Sequence, residues 1–280
     1  MGFKKTLSAI KYKLTHRDAK MESSRLCGLT LKTIPGTIRK KTDQDDAWFF
    51  YLAQHHNTIF DIGCNVGYTA LLAMIQKSDR PYLLVDPNPT ALNQAQLNLI
   101  SNNMGFKAQY FSGFVSDKQD DTVKFYTIGA GAAGSMFASH AESAAVVNSF
   151  TQVKTVTLDF LYQYYNLAPD LVKIDVEGAE TMVMKGAAIL AKETQCTFFV
   201  EMHTVENLGM EQAGQLMIDW CLANQYRAWY LTDAVEFNAA EMIKTRGKCH
   251  LLLLPKKKDY PDYLKEISQN APLPETLSSI

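Results

Sequence analysis

The segment Leu171-Val-Lys173-Ile-Asp175-Val-Glu177-Gly178-Ala-Glu180 carries the densest set of groups able to move a proton or hold developing charge. Lys173, Asp175 and Glu177 stand at alternate positions, and alternate side chains of a strand share one face. Val172, Ile174 and Val176 then take the other. A later run repeats the pattern: Phe199-Val-Glu201-Met-His203 puts a carboxylate and an imidazole on one face. If these strands are neighbours, their tips gather Asp175, Glu201 and His203 around one crevice. Histidine titrates near neutrality, so His203 or Asp175 is the expected general base. Lys173 is expected to orient a carboxylate or stabilise charge, with Glu201 completing the cluster. Two other readings stay open. Lys173 and a carboxylate can form a plain strand-end ion pair. Alternatively, Asp175, Glu201 and His203 bind a divalent metal that acidifies a hydroxyl, although no decisive ligand spacing supports it.

A second constellation lies earlier. Asp61-Ile-Gly63-Cys-Asn65-Val-Gly67 leads from an apolar run into a helical one, and Asp86 follows 19 residues after Gly67 at the end of Tyr82-Leu-Leu-Val. In open α/β sheets, ligands bind beyond the carboxyl ends of the strands. Gly63 and Gly67 are expected to let a ligand approach the backbone, and Asp86 to accept both hydroxyls of a ribose. These are the parts of a nucleoside site. A dinucleotide requires G-x-G-x-x-G, whose second glycine admits the pyrophosphate; this chain has Asn65 there. Asp61 adds a negative charge that suits a sulfonium and an amino group better than a pyrophosphate. The pattern therefore predicts S-adenosylmethionine, and methyl transfer, over NAD and hydride transfer. A nucleoside-binding protein without turnover is the other alternative.

The elements that must position these groups alternate between strand and helix. Strands are expected over 58–62, 82–85, 171–176 and 196–202, with less regular ones at 108–115, 122–128 and 152–158. Helices are expected over 45–52, 68–76, 89–102, 179–192 and 211–224. Asn88 caps the third of these with Pro89 at its first position, and Leu92, Leu97, Leu99 and Ile100 are expected to face the sheet. Two last strands, 227–231 and 249–254, flank a polar insertion. Continuous apolar strands between helices imply an α/β, Rossmann-like fold, with a mostly parallel seven-stranded sheet, helices on both faces and a C-terminal antiparallel hairpin. The expected organisation is a basic N-terminal arm (1–44) with a short helix, a catalytic domain (45–255) and a surface tail (256–280). Gly129-Ala-Gly-Ala-Ala-Gly134-Ser135 reads as a loop; it lacks the lysine of a P-loop.

Composition excludes several classes. With 28 basic and 29 acidic residues in 280, the chain has no electrostatic footprint of a nucleic-acid binder. Cys27, Cys64, Cys196, Cys221 and Cys249 are odd in number and lack zinc spacing, so reduced thiols in a cytoplasmic protein are expected. No run approaches the roughly 20 apolar residues of a membrane span. Met1-Gly2-Phe3-Lys4-Lys5-Thr6 fits the N-myristoylation pattern, but a solvated basic helix is the favoured reading of this arm over a membrane anchor.

The chain resembles the FkbM family of methyltransferases. The likeness rests on Phe60-Asp61-Ile-Gly63-Cys-Asn65-Val-Gly67-Tyr68, on Asp86-Pro-Asn-Pro89 with Leu97 and Asn98, and on Val172-Lys173-Ile-Asp175-Val-Glu177-Gly178-Ala-Glu180. Thr157-Leu158-Asp159, Lys185-Gly186 and Val200-Glu201-Met-His203 extend it over roughly residues 45–205. The resemblance implies S-adenosylmethionine-dependent O-methylation of a hydroxyl on a small molecule or a glycan. It also places Ser116 and Asp117 near the adenine. Asp86 stands where the family often has glutamate, and either carboxylate can hold a ribose.

Overall fold

In a computed structural model of the chain, residues 20–127, 134–137, 149–205 and 207–277 are described. The arm residues 1–19, with the Gly2 pattern and the expected helix, lie outside these, as do 129–133 of the glycine-alanine stretch. The order of elements is β1 (Glu22–Leu26), β2 (Leu29–Thr33), α1 (Asp46–Gln54), β3 (Ile59–Ile62), α2 (Tyr68–Met74), β4 (Tyr82–Asp86), α3 (Pro89–Ile100), β5 (Ala108–Ser112) and β6 (Phe114–Val115). Then come β7 (Thr122–Tyr126), β8 (Phe150–Val156), α4 (Leu158–Tyr165), β9 (Leu171–Ile174), α5 (Glu180–Lys185), α6 (Ala188–Thr194) and β10 (Thr197–His203). The chain finishes with α7 (Met210–Ala223), β11 (Tyr226–Tyr230), β12 (Val235–Glu236), a 3₁₀ turn, β13 (Lys248–Pro255) and α8 (Asp262–Lys265).

The main sheet has the order β12-β11-β13-β10-β9-β3-β4-β5. The five strands from β10 to β5 run parallel, while β13 and β11 are antiparallel to their neighbours. The two-residue edge strand β12 raises the expected seven strands to eight. Alternation feeds two cores: Phe60, Ile62, Leu83 and Val85 face one side, and Ile59, Tyr82 and Leu84 the other. Sequence order reverses between β3 and β9, so the crevice for a ligand opens above that pair. Among the described residues no helix is long and apolar enough to cross a membrane, and all five cysteines are free and buried.

Several expectations shift. The strand expected over 108–115 is two strands, β5 in the main sheet and β6 in a small sheet with β8 and β7. Asn88 does cap α3, accepting from the amides of Thr90 and Ala91. Leu97 and Ile100, however, lie on its solvent side at 42% and 57% exposure, because the helix seats Leu92, Ala95 and Leu99 instead. The helix expected over 179–192 is broken at Gly186, whose added Cβ would lie 2.4 Å from the Ser116 carbonyl oxygen. Helix α4 went unexpected although Thr157 caps it.

Both ends join the domain. Residues 22–33 form a hairpin, and the Asn98 side chain, fully buried in α3, ties the chain after it to the glycine loop. Its Oδ1 accepts from the Ile34 amide at 2.7 Å, and its Nδ2 donates to Thr37 Oγ1 and to the Val66 carbonyl, both at 2.9 Å. Beyond Pro255, Tyr260 and Leu264 are buried against α1 and the sheet, and the Trp48 indole donates to the Ile267 carbonyl at 2.8 Å.

Candidate active site

Above β3, β4 and β9 lies a cavity of about 320 Å³, within the range of small-ligand sites. One wall is Gly63, Cys64, Asn65 and Val66; a second is Val85 to Asn88; a third is Gly113, Phe114, Val115, Phe125 and Gly134. Lys173, Asp175, Val176 and Glu177 close the floor, and Gly36, Thr37, Arg39 and Tyr68 close the remaining side.

Asp86 ends β4 with its carboxylate fixed: Oδ2 accepts from the Asn65 amide and Oδ1 from the Asn88 amide, each at 2.8 Å. Burial raises its pKa to about 6, opposed by those two bonds. Asn65 sits at a left-handed φ of +46°, which turns its amide toward that carboxylate. The glycines also answer to packing within the protein. At Gly63 (φ +85°) an added Cβ would lie 1.8 Å from the Asp175 carbonyl oxygen, and at Gly67 (φ +80°) 2.8 Å from Ala95 Cβ. Gly63 and Gly67 thus serve close backbone approach within the protein, and Gly63 also lines the cavity.

Asp61 is fully buried below the cavity and does not line it. Its register partner on β9 is Lys173, and the two groups lie 3.9 Å apart. Thr69 and Tyr82 hydroxyls donate to its Oδ2 at 2.6 and 3.0 Å. Lys173 also donates to Asp175 Oδ2 at 3.2 Å. Burial alone would lower the Lys173 pKa, but Asp175, Asp61 and Asp45 hold it well above its ordinary value. Lys173 is therefore a charged strut between a buried and a cavity-facing carboxylate.

The alternation expected through Glu177 fails, because β9 ends at Ile174. Glu177 and Gly178 take left-handed φ values of +53° and +107°, and the Ser135 hydroxyl holds the Glu177 carbonyl at 2.7 Å. This turn brings Glu177 Oε2 to 3.6 Å from His203 Nε2. His203 Nδ1 bonds Glu180 Oε1 at 2.9 Å, and Glu201 Oε1 lies 3.5 Å from Nε2. Burial would depress the His203 pKa, yet the bonds to Glu180 and Glu201 push it up to about 11. In that protonated form His203 is a donor, which favours a neighbouring carboxylate over it as the general base.

Of the other expected residues, Glu201 is turned away from the cavity. Lys248 Nζ bonds its Oε1 at 2.6 Å, and its register partner His250 stands 3.5 Å from Oε2. Ser116 and Asp117 do not line the cavity, since the Ser116 amide is drawn to the Val156 carbonyl at 2.8 Å. Asp175, Glu177 and His203 each offer an atom within 4.8 Å of the others, as do Asp45, Glu201 and His250. The metal grouping expected from Asp175, Glu201 and His203 is thus split between two clusters. Sequence reading placed Glu177 in the charged cluster, and it lines the cavity; it missed Thr37, Arg39, Phe114 and Phe125 altogether, and no motif marks these four.

Residues 61–228 match the family model described as the methyltransferase FkbM domain. Compared with curated proteins, the chain matches none. Among solved structures it is similar to methyltransferase FkbM from Methylobacillus flagellatus, with 12% identity and a TM-score of 0.44 over 78% of this chain and 45% of that one. It thus spans less than half of that protein's length. M. jannaschii TYW2, crystallised with AdoMet, is similar at 10% identity and a TM-score of 0.44, over 84% of this chain and 85% of that one. The O-methyltransferase TomG from Streptomyces achromogenes, in complex with SAM, is similar at 12% identity and a TM-score of 0.42, over 75% and 78% of the two chains.

Proposed function

Because the chain belongs to the FkbM methyltransferase family, we infer that its cavity binds S-adenosylmethionine and that it methylates a hydroxyl of a small molecule or a glycan. The observation that carries this reading is Asp86: a carboxylate fixed by two backbone amides at a strand tip, facing a nucleoside-sized cavity. Its remaining lone pairs suit the two hydroxyls of a ribose. Phe114, Val115 and Phe125 offer the purine an apolar wall; the resemblance implied that Ser116 and Asp117 lie near the adenine. The loop from Gly63 to Gly67 follows the first strand toward the methionyl part.

When bound, S-adenosylmethionine supplies a methyl group already activated by its sulfonium, so positioning does much of the work. This chain's residues must hold the acceptor in line and take its proton. Lys173 holds Asp175 in an ion pair at 3.2 Å, so that carboxylate is already engaged. Glu177 is the stronger candidate, since burial raises its pKa and it lines the cavity beside Asp175. His203, 3.6 Å from Glu177, offsets part of the charge of this acidic floor. Glu177→Gln is then expected to cut turnover by about 10²–10⁴ with cofactor affinity intact.

The test of the whole reading is calorimetric titration of S-adenosylhomocysteine and of NAD into the wild type and Asp86→Ala. Binding of the first alone, weakened by the substitution, supports it. Binding of NAD alone makes the protein a dehydrogenase candidate. Binding of S-adenosylhomocysteine with no turnover across hydroxylated acceptors leaves a nucleoside-binding scaffold.

A further inference from the structure

The cavity has one polar feature that the nucleoside reading does not use. Among its lining residues only Lys173 and Arg39 are cationic. Lys173 is committed to Asp175 and Asp61. Arg39 lies outside the matched residues 61–228, in a segment the sequence left as an arm, and its side chain is 38% exposed.

The surroundings of Arg39 fix its plane and leave an edge over. Nη1 donates to Asp43 Oδ2 at 3.1 Å and to Asp46 Oδ1 at 3.0 Å. The guanidinium carbon sits 4.8 Å from the centroid of the Tyr68 ring, and the Tyr68 hydroxyl donates to Asp46 Oδ2 at 3.0 Å. Tyr68 is the first residue of α2, directly after the glycine loop. Guanidinium carries five N–H donors. Two on Nη1 are taken, while Nη2 and Nε have no hydrogen-bond partner among the described residues. A planar fork with a spare pair of donors is matched to a carboxylate. The aspartates cost Arg39 some net charge, but they keep the fork still, so little side-chain freedom is lost when an anion binds.

The segment holding Arg39 is itself anchored. Asn98 bonds Thr37 Oγ1 and the Val66 carbonyl with one amide group, which clamps Thr37, and with it Arg39 two residues on, against the glycine loop. A carboxylate subsite thus stands beside the part of the cavity that would receive the amino-acid end of a nucleoside–amino-acid conjugate.

We propose that Arg39, backed by Tyr68 and held in place through Thr37 and Asn98, binds the α-carboxylate at the methionyl end of the cofactor. This rests on the reading that the cavity takes S-adenosylmethionine. It assigns cofactor recognition to a residue before the family-matched region.

The experiment compares two ligands that share the nucleoside and differ in the amino-acid end. S-Adenosylhomocysteine has the carboxylate; 5′-methylthioadenosine lacks it. Both are titrated calorimetrically into the full chain as wild type, Arg39→Ala and Arg39→Lys. Loss of a charge-assisted pair is expected to weaken S-adenosylhomocysteine about ten- to hundredfold in Arg39→Ala, with 5′-methylthioadenosine unchanged. Arg39→Lys, which keeps the charge but not the fork, is expected to fall between. Equal weakening of both ligands overturns the proposal, since Arg39 then acts only through the fold. So does an unchanged affinity for S-adenosylhomocysteine. A wild type that binds neither ligand overturns the cofactor reading and the subsite with it, a pattern distinct from either of the other two.

Discussion

The Asp86 carboxyl offers the sharpest quantitative test of the nucleoside site. Burial raises its pKa from the ordinary 3.8 to about 6, so its charged form is penalised in the folded apoprotein by about 3 kcal/mol. The sign follows: this group stabilises the fold below pH 3.8, and that contribution is lost as pH rises through about 6. Ligand binding runs the other way, because ribose hydroxyls donate to the ionised form. At pH 5 about one carboxyl in ten is ionised, so the affinity for S-adenosylhomocysteine is expected to be about tenfold weaker than its plateau above pH 7.

Asp86→Asn separates these effects. It removes the buried charge, a gain of up to about 3 kcal/mol. An asparagine amide, however, can accept from only one of the Asn65 and Asn88 backbone amides, and leaving the other unpaired costs about 1–3 kcal/mol. The two nearly cancel, so the variant is expected to unfold within about 2 kcal/mol of wild type. Its affinity for S-adenosylhomocysteine should fall by about 1.5–3 kcal/mol, the worth of charged over neutral hydrogen bonds, and should be flat in pH. Calorimetry between pH 5 and 8, corrected for buffer protonation, reads both. A wild-type affinity independent of pH, or a variant that keeps the wild-type slope, would refute the assignment of Asp86 to the ribose.

Other perturbations follow from the same contacts. Gly63→Ala, which drives a Cβ to 1.8 Å from the Asp175 carbonyl oxygen at positive φ, is expected to cost about 2–5 kcal/mol; an unchanged Tm would contradict the packing role. Asn98→Ala leaves the buried Ile34 amide without its acceptor, so we expect a loss of about 2 kcal/mol and faster hydrogen exchange across residues 34–39. His203, raised from 6.5 to about 11, stabilises the fold fully below pH 6.5 and progressively less up to pH 11. His203→Gln should therefore flatten the decline in urea-unfolding free energy between pH 7 and 10. Dialysis against EDTA is expected to leave turnover unchanged, because Asp175 and Glu177 already face Lys173 and His203; activity restored only by added Mg²⁺ would put a metal there instead.

Elements with strong periodicity or caps were legible in the sequence: β3, β4 and β9, and the Asn88–Pro89 start of α3. The Lys173 and Asp175 pairing was legible too, because charge inside an apolar strand demands a partner. What escaped was set by tertiary contact. Glu177 was assigned to a strand face, yet it follows the strand's end in a left-handed turn that the Glu-Gly pair only hints at. The role of His203 depends on Glu180, which reaches it from the start of α5; spacing carries no information on how many carboxylates will surround one ring. Asn98 looked like one polar residue on a helix, and the three bonds that anchor the N-terminal segment exist only once residues 34–37 fold back.

The two glycines bear on how such a motif is read. Their strict need at Gly63 and Gly67 comes from Asp175 and Ala95, so a glycine pattern reports how closely β3 meets β9 and α2 meets α3. That closeness still matters for the ligand, because it sets where the Asn65 amide meets Asp86. A substitution at either glycine should then disturb binding through displaced backbone, with loss of stability and of affinity moving together. At Asp86 and Arg39, which touch the cavity with side chains, affinity should move further than stability does. The pattern of coupled against uncoupled losses across these four positions distinguishes residues that shape the site from those that meet the ligand.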